Sequence, residues 1–182
     1  MDTLLTSQCH PLLDRFMAQN MSESPISEVS SSDDSSCYGQ LSSGKLELYI
    51  PAPSTAEREQ AFLYHSATRN LFAWIFGKPL VGSHLGGALV GLLNSMDEFR
   101  SDGEDNIQAI VDYMDEEGYA DMRNSPDHAL AVLFFAEHFH FKDMFIDAFA
   151  HCTGMHDRLP SSPGFEVCSM FSSIKCNVFI SI

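Results

Sequence analysis

Three histidines and a cysteine in the last third of the chain are the residues best suited to chemistry. His138, His140, His151 and Cys152 fall close together, a composition that invites a metal ion or an activated thiol. Their spacing points elsewhere. On one helix His138 and His140 diverge by about 200°, so only a helix break at His140 turns them toward a common ion, with His151 or Cys152 as third ligand. The plainer reading makes one of them a hydrogen-bonded core histidine and the others helix-end residues, where a cationic imidazole suits the dipole. Helical neighbours diverge by about 100°, which separates Cys152 from His151 and Ser83 from His84 as nucleophile–base pairs. No GxSxG elbow is present. Glu137 sits in an otherwise apolar stretch and is a candidate general acid or base, against the expectation of a solvated or ion-paired carboxylate.

Two further stretches test anion and cation binding. Gly77-Lys78-Pro79-Leu80-Val81-Gly82-Ser83 sets a lysine near a helix start, yet it lacks the GxxxxGK[ST] order of a phosphate loop. It reads as a connection between two helices. Between Asp97 and Asp127 stand eleven carboxylates against Arg100 and Arg123. An EF-hand loop begun at Asp102 puts Ile107 at the glycine position and Tyr113 where the bidentate Glu belongs, so calcium is not read there. The stretch is expected to be a solvated face, or else a docking surface for a basic partner. The sequence therefore assigns no catalytic, cofactor-binding or metal-ligating residue.

Composition narrows the function further. A net charge of −15, with ten Lys and Arg scattered along 182 residues, argues against phosphate backbones and anionic lipid as partners. No apolar run approaches the roughly 18–20 residues of a membrane span. The five cysteines (Cys9, Cys37, Cys152, Cys168, Cys176) are odd in number, widely spaced and without CxxC, and read as thiols of a reducing compartment. The Met-Asp start lacks a basic n-region, so no secretory signal is expected and the sequon at Asn20 has no glycosylation to meet. An intracellular protein, cytoplasmic or nuclear, is the expectation.

The elements that must hold these residues follow from periodicity. Residues 1–44 read as a disordered tail rich in Ser and Asp, with one short amphipathic candidate from Leu4 to Met17. Ser30 and Ser31, each followed three residues on by Asp33 and Asp34, suit acidic-directed kinases. Lys45–Ile50 alternates as one short strand or extended segment, closed by Pro51 and Pro53. Ser54 with Glu57 predicts a capping box, and Tyr64, Ala67, Leu71, Trp74 and Ile75 share a helical face that ends at Gly77 and Pro79. A second helix is predicted from Ser83 to Phe99, where Gly86, Gly87 and Gly91 imply close approach of a neighbouring helix.

Ile107, Ile110, Val111 and Met114 form a clean stripe stopped by Gly118. Ser125 and Pro126 then open a helix that is apolar almost all round to Phe139. After a break near His140, Phe141, Phe145, Ala148, Phe149 and Cys152 define a last helix ending at Gly154. Six phenylalanines between Phe134 and Phe149 predict a packed aromatic core. The fold class is thus all-α, a bundle of about five helices over residues 45–165 with at most one or two short strands. Residues 166–182 mix β-branched residues and Ser without helical period, and read as a late-docking strand or as the product of a truncated gene model.

Two segments carry a family resemblance: Thr68-Arg-Asn-Leu-Phe-Ala-Trp-Ile-Phe-Gly-Lys-Pro-Leu-Val-Gly82 and Ala136-Glu-His-Phe-His-Phe-Lys-Asp-Met-Phe-Ile-Asp-Ala-Phe-Ala-His-Cys-Thr-Gly154. Together they resemble an uncharacterised helical domain of filamentous-fungal proteins, found within longer Ser- and Pro-rich chains. The resemblance spans roughly residues 45–165, implies an intracellular fungal protein and brings no activity, cofactor or site residue. The chain departs from it after Glu166, where members continue into further helical sequence. The functional expectation is a non-enzymatic protein-interaction module with a protein partner and no nucleic acid, membrane or cofactor. The alternative is a metal-binding protein or metal-dependent hydrolase using His138, His140 and His151.

Overall fold

The computed structural model describes residues 3, 6–15 and 50–168. The Ser/Asp-rich run with Ser30 and Ser31, the segment 45–49 and the tail beyond Cys168 lie outside the described residues. Among the described residues five long helices make up most of the fold: α1 (Arg58–Ile75), α2 (Leu85–Phe99), α3 (Asn106–Glu116), α4 (Pro126–Phe139) and α5 (Lys142–Gly154). A 3-10 turn, Leu159–Ser161, follows. Among the described residues there is no strand, so the all-α class holds. No described helix is long and apolar enough to cross a membrane.

Two helices carry the interior. α2 packs against α1, α3 and α4, and α4 packs against α2, α5 and the 3-10 turn. Their sequences explain this centrality: α2 buries Leu89, Leu92, Leu93, Met96 and Phe99, while α4 buries every residue from Ala129 to Leu133 and then Phe135 and Ala136. A helix apolar on all sides has to be covered on all sides. Each such side chain removed from water contributes about 1.5–3 kcal/mol before ordering entropy is set against it. The outer helices give narrower stripes: Leu71 from α1, then Ile110, Tyr113 and Met114 from α3.

The aromatic cluster departs from expectation. Of its six rings only Phe135 is fully buried; Phe134, Phe139, Phe141, Phe145 and Phe149 are half-buried. They lie at the edge of the core, where Phe135 meets Phe139 at 5.1 Å and Phe141 at 5.8 Å between centroids, and Phe145 stacks on Phe149 as a separate pair. The reason is position. α5 packs chiefly on α4 and fully buries only Ala148 and Cys152, so Phe145 and Phe149 have core on one side and solvent on the other.

Boundaries match the sequence signals except at two starts. Ser125 accepts the His128 N–H with Pro126 at the first position of α4, and Gly118 takes a positive φ just after α3. His140 ends α4 in the left-handed region at φ 61°, which is the expected break. α1, however, begins at Arg58 rather than near Ser54. Residues 53–56 are used in a turn closed by the Ala56 N–H on the Pro53 carbonyl, and the capping box is formed instead by Glu57 and Gln60. α2 begins at Leu85 rather than at Ser83, and His84 caps it.

Residues 6–15, within the amphipathic candidate read from Leu4 to Met17, belong to the same core. Residues 10–15 are helical, and Cys9 and Leu12 are completely buried. The Gln8 carbonyl accepts the Ser101 N–H at 2.9 Å, and Arg100 Nε donates to the Ser7 carbonyl at 3.2 Å. The Arg100 guanidinium meanwhile lies 5.0 Å from the Trp74 ring centroid, tying this segment to α1 as well as to the end of α2.

Candidate functional site

The structure separates the residues that looked reactive. His138 faces outward from α4, stacked on Phe134 and edge-on to Phe139. His140 is the exposed C-cap of α4, and His151 lies in the last turn of α5 beside Asp115, Asp121 and Asp147 in a shallow cleft. The break at His140 is present, yet among the described residues no three His, Cys, Asp or Glu side chains converge as a metal ion requires. Cys152 is fully buried, and burial first, with Cys168 second, pushes its thiol up to about 12. It stays protonated at neutral pH, which is the wrong form for a nucleophile. Glu137 of α4 stands near the Cys168 sulfur, at 3.9 Å.

What the fold does assemble is a cleft of about 520 Å³ between α1 and α2. Phe62, Leu63, Tyr64 and Ala67 line it from α1, Val81 and His84 from the connection, Val90 and Gly91 from α2, and Phe134 from α4. Phe62 is 69% exposed and Leu63 59%. One end is closed by charge: Arg15 Nη1 meets Glu98 Oε1 at 2.8 Å, and the Tyr64 hydroxyl donates to the same oxygen at 3.0 Å.

Val81 to His84, the end of the connection that begins at Phe76, form one side of this cleft, and the connection is held from below. Asn70, almost fully buried, donates through Nδ2 to the Val81 carbonyl at 2.9 Å and accepts the Val81 N–H on Oδ1 at 3.0 Å. The Tyr113 hydroxyl donates to the Lys78 carbonyl, and the Tyr119 hydroxyl accepts the Leu80 N–H at 3.0 Å. Burial above all raises the Tyr113 phenol, so it remains a donor across the working pH range. The segment that resembled a phosphate seat is therefore a braced connection whose polar backbone is already engaged.

Close approach explains the glycines of α2. A Cβ on Gly91 would stand 3.2 Å from the Ala67 Cβ of α1, and one on Gly86 would stand 2.9 Å from the Phe134 Cβ of α4. Gly87 serves a different neighbour. The ring of His84 lies over it, so that a Cβ there would come within 2.8 Å of Cε1 and Nε2. Folded back in this way, Nδ1 of His84 accepts the Gly87 N–H at 3.0 Å and caps the helix. Nδ1 must then be unprotonated, and burial lowers the imidazole below its usual range. The ring also meets Phe134 edge-on, 5.2 Å between centroids.

Sequence reasoning missed this site in two respects. His84 was weighed only as a partner for Ser83, although Gly87 three residues on is the signal that its ring folds back. Phe62 and Leu63 fall off the predicted face of α1, and that is why they remain exposed.

Residues 107–174 match a domain of unknown function, DUF8004. The DUF8004 match takes in nearly all of α3, then α4, α5 and the 3-10 turn, and leaves α1 and α2 outside. It includes the second of the two resembling segments and not the first, and it runs past Glu166. No curated protein matches the chain, and no solved structure does. The cleft thus joins α1 and α2 to Phe134 and His138 of the DUF8004 region.

Proposed function

We propose that this chain is a non-enzymatic protein-interaction module and that the α1–α2 cleft is its binding face. One observation carries the reading. Of the seven large apolar side chains exposed among the described residues, three, Phe62, Leu63 and Val81, border this cleft. Single exposed apolar residues are ordinary, whereas several around one concavity mark a place where another chain excludes water. Both backbone groups of Val81 are already engaged by Asn70, so at this residue the cleft offers shape and apolar area before it offers hydrogen bonds. The partner that fits is a protein segment with apolar anchors and flanking Lys or Arg, since the net charge of −15 attracts a basic chain and repels an acidic one. An intracellular, fungal setting is part of the same proposal, supported by the resemblance of residues 68–82 and 136–154 and by the scattered cysteines.

The test uses the full chain, because Leu12 and Arg15 belong to the fold. Phe62→Asp and Leu63→Asp are expected to abolish capture of a partner while leaving the circular dichroism spectrum and the melting temperature unchanged. Undiminished capture by both variants overturns the assignment of this face.

A further inference from the structure

One titratable ring both caps α2 and lines the cleft. His84 accepts the Gly87 N–H through Nδ1, and the same ring lines the α1–α2 cleft on one side and a smaller cleft of about 200 Å³ beside Asp127 and Ser162 on the other. A proton on Nδ1 would face a donor with a donor. It would also place a positive charge at the positive end of a helix. We propose that His84 makes the cleft proton-sensitive: the neutral ring caps α2 and lines the cleft, and protonation breaks the cap and turns the ring out.

Among the described residues, the ring holds no acidic partner that protonation would strengthen. From α4 the ring meets the edge of Phe134, with His138 farther along the same cleft and Asp127 across the smaller one. The Asp127 carboxylate already accepts the hydroxyl of Ser162, and that of Glu98 on α2 is occupied by Arg15 and by Tyr64 of α1. Among the described residues no carboxylate forms an ion pair or hydrogen bond with His84. Gly87 supports the same conclusion from the backbone. Glycine inside a helix is unfavourable, and here its bare Cα is what lets the ring lie flat on the first turn. Serine or asparagine would cap α2 without a ring and without a proton to gain.

The inference rests on the cleft as binding face, yet its first test needs no partner. Amide exchange at Gly87 and Ala88, corrected for intrinsic rates, is to be followed between pH 7.5 and pH 5 in the full chain and in His84→Ser and His84→Asn. The wild type is expected to lose protection at least tenfold across this range, while both variants stay level. Equal pH dependence in all three overturns the proposal and leaves the binding face untouched. A photo-crosslinking residue at position 62 then reads the binding: adducts at pH 7.5 that fade at pH 5 in the wild type but persist in His84→Asn support it. Adducts equally strong at both pH values in the wild type contradict it. Absence of adducts at either pH, with the exchange result intact, counts against the binding face instead.

Discussion

The side-chain amide of Asn70 closes on both backbone groups of Val81, giving one hydrogen bond at 2.9 Å and taking another at 3.0 Å. A side chain on α1 thereby substitutes for a strand partner and fixes the connection that shapes the cleft. Asn70→Leu preserves volume but leaves the Val81 N–H and carbonyl without their partner in a partly buried place. A loss of about 2–4 kcal/mol in denaturant-derived stability is predicted, since an unmet buried polar group costs about 1–3 kcal/mol. A loss under about 0.5 kcal/mol would mean that Val81 finds other partners.

Leu12 lies fully buried although some 40 residues separate it in sequence from the rest of the core. Leu12→Ala is expected to cost about 2–5 kcal/mol, the range for a large-to-small change in a packed interior. Urea unfolding reads it, and a neutral result would mean that residues 6–15 contribute nothing to stability.

Gly87 and His84 are coupled by contact, so their substitutions should not add. Gly87→Ala drives a methyl to within 2.8 Å of the imidazole and is predicted to destabilise despite the better helix propensity of alanine. In a His84→Ser background the same change is expected to stabilise by about 0.5–1 kcal/mol, the ordinary gain of Gly to Ala in a helix. Equal effects in the two backgrounds would show that the ring does not lie on Gly87.

The thiol of Cys152, raised to about 12 by burial, should resist alkylation by iodoacetamide at pH 8 in the folded chain. It should react at an ordinary rate in denaturant. Modification of Cys152 in the native state, mapped by mass spectrometry, would contradict its placement.

The last three helices were legible because their signals are local: the Ser125-Pro126 start, the break near His140, the stripe through Ile110 and Met114, and the stop at Gly118. The start of α1 was displaced by a competing cap, Ser54 against Glu57, and that of α2 by the folding back of His84, which the sequence reading did not weigh as a cap. Ring count was a poor guide to burial, since α5 packs chiefly on α4 and leaves Phe145 and Phe149 at the edge. The cleft itself was illegible, because it depends on Phe62 and Leu63 being left uncovered and on residues 6–15 reaching α2 from far away.

The binding face is tested most directly by installing a photo-crosslinking amino acid at position 62 in the full-length chain, in cells that express it. The expected outcome is a discrete protein adduct that disappears when Leu63→Asp is added. The purified partner should then bind the unlabelled chain with a basic segment that competes for the adduct. Adducts of the same yield from position 62 and from a site on the far side, such as Ile146 of α5, or an adduct indifferent to Leu63→Asp, would contradict the assignment.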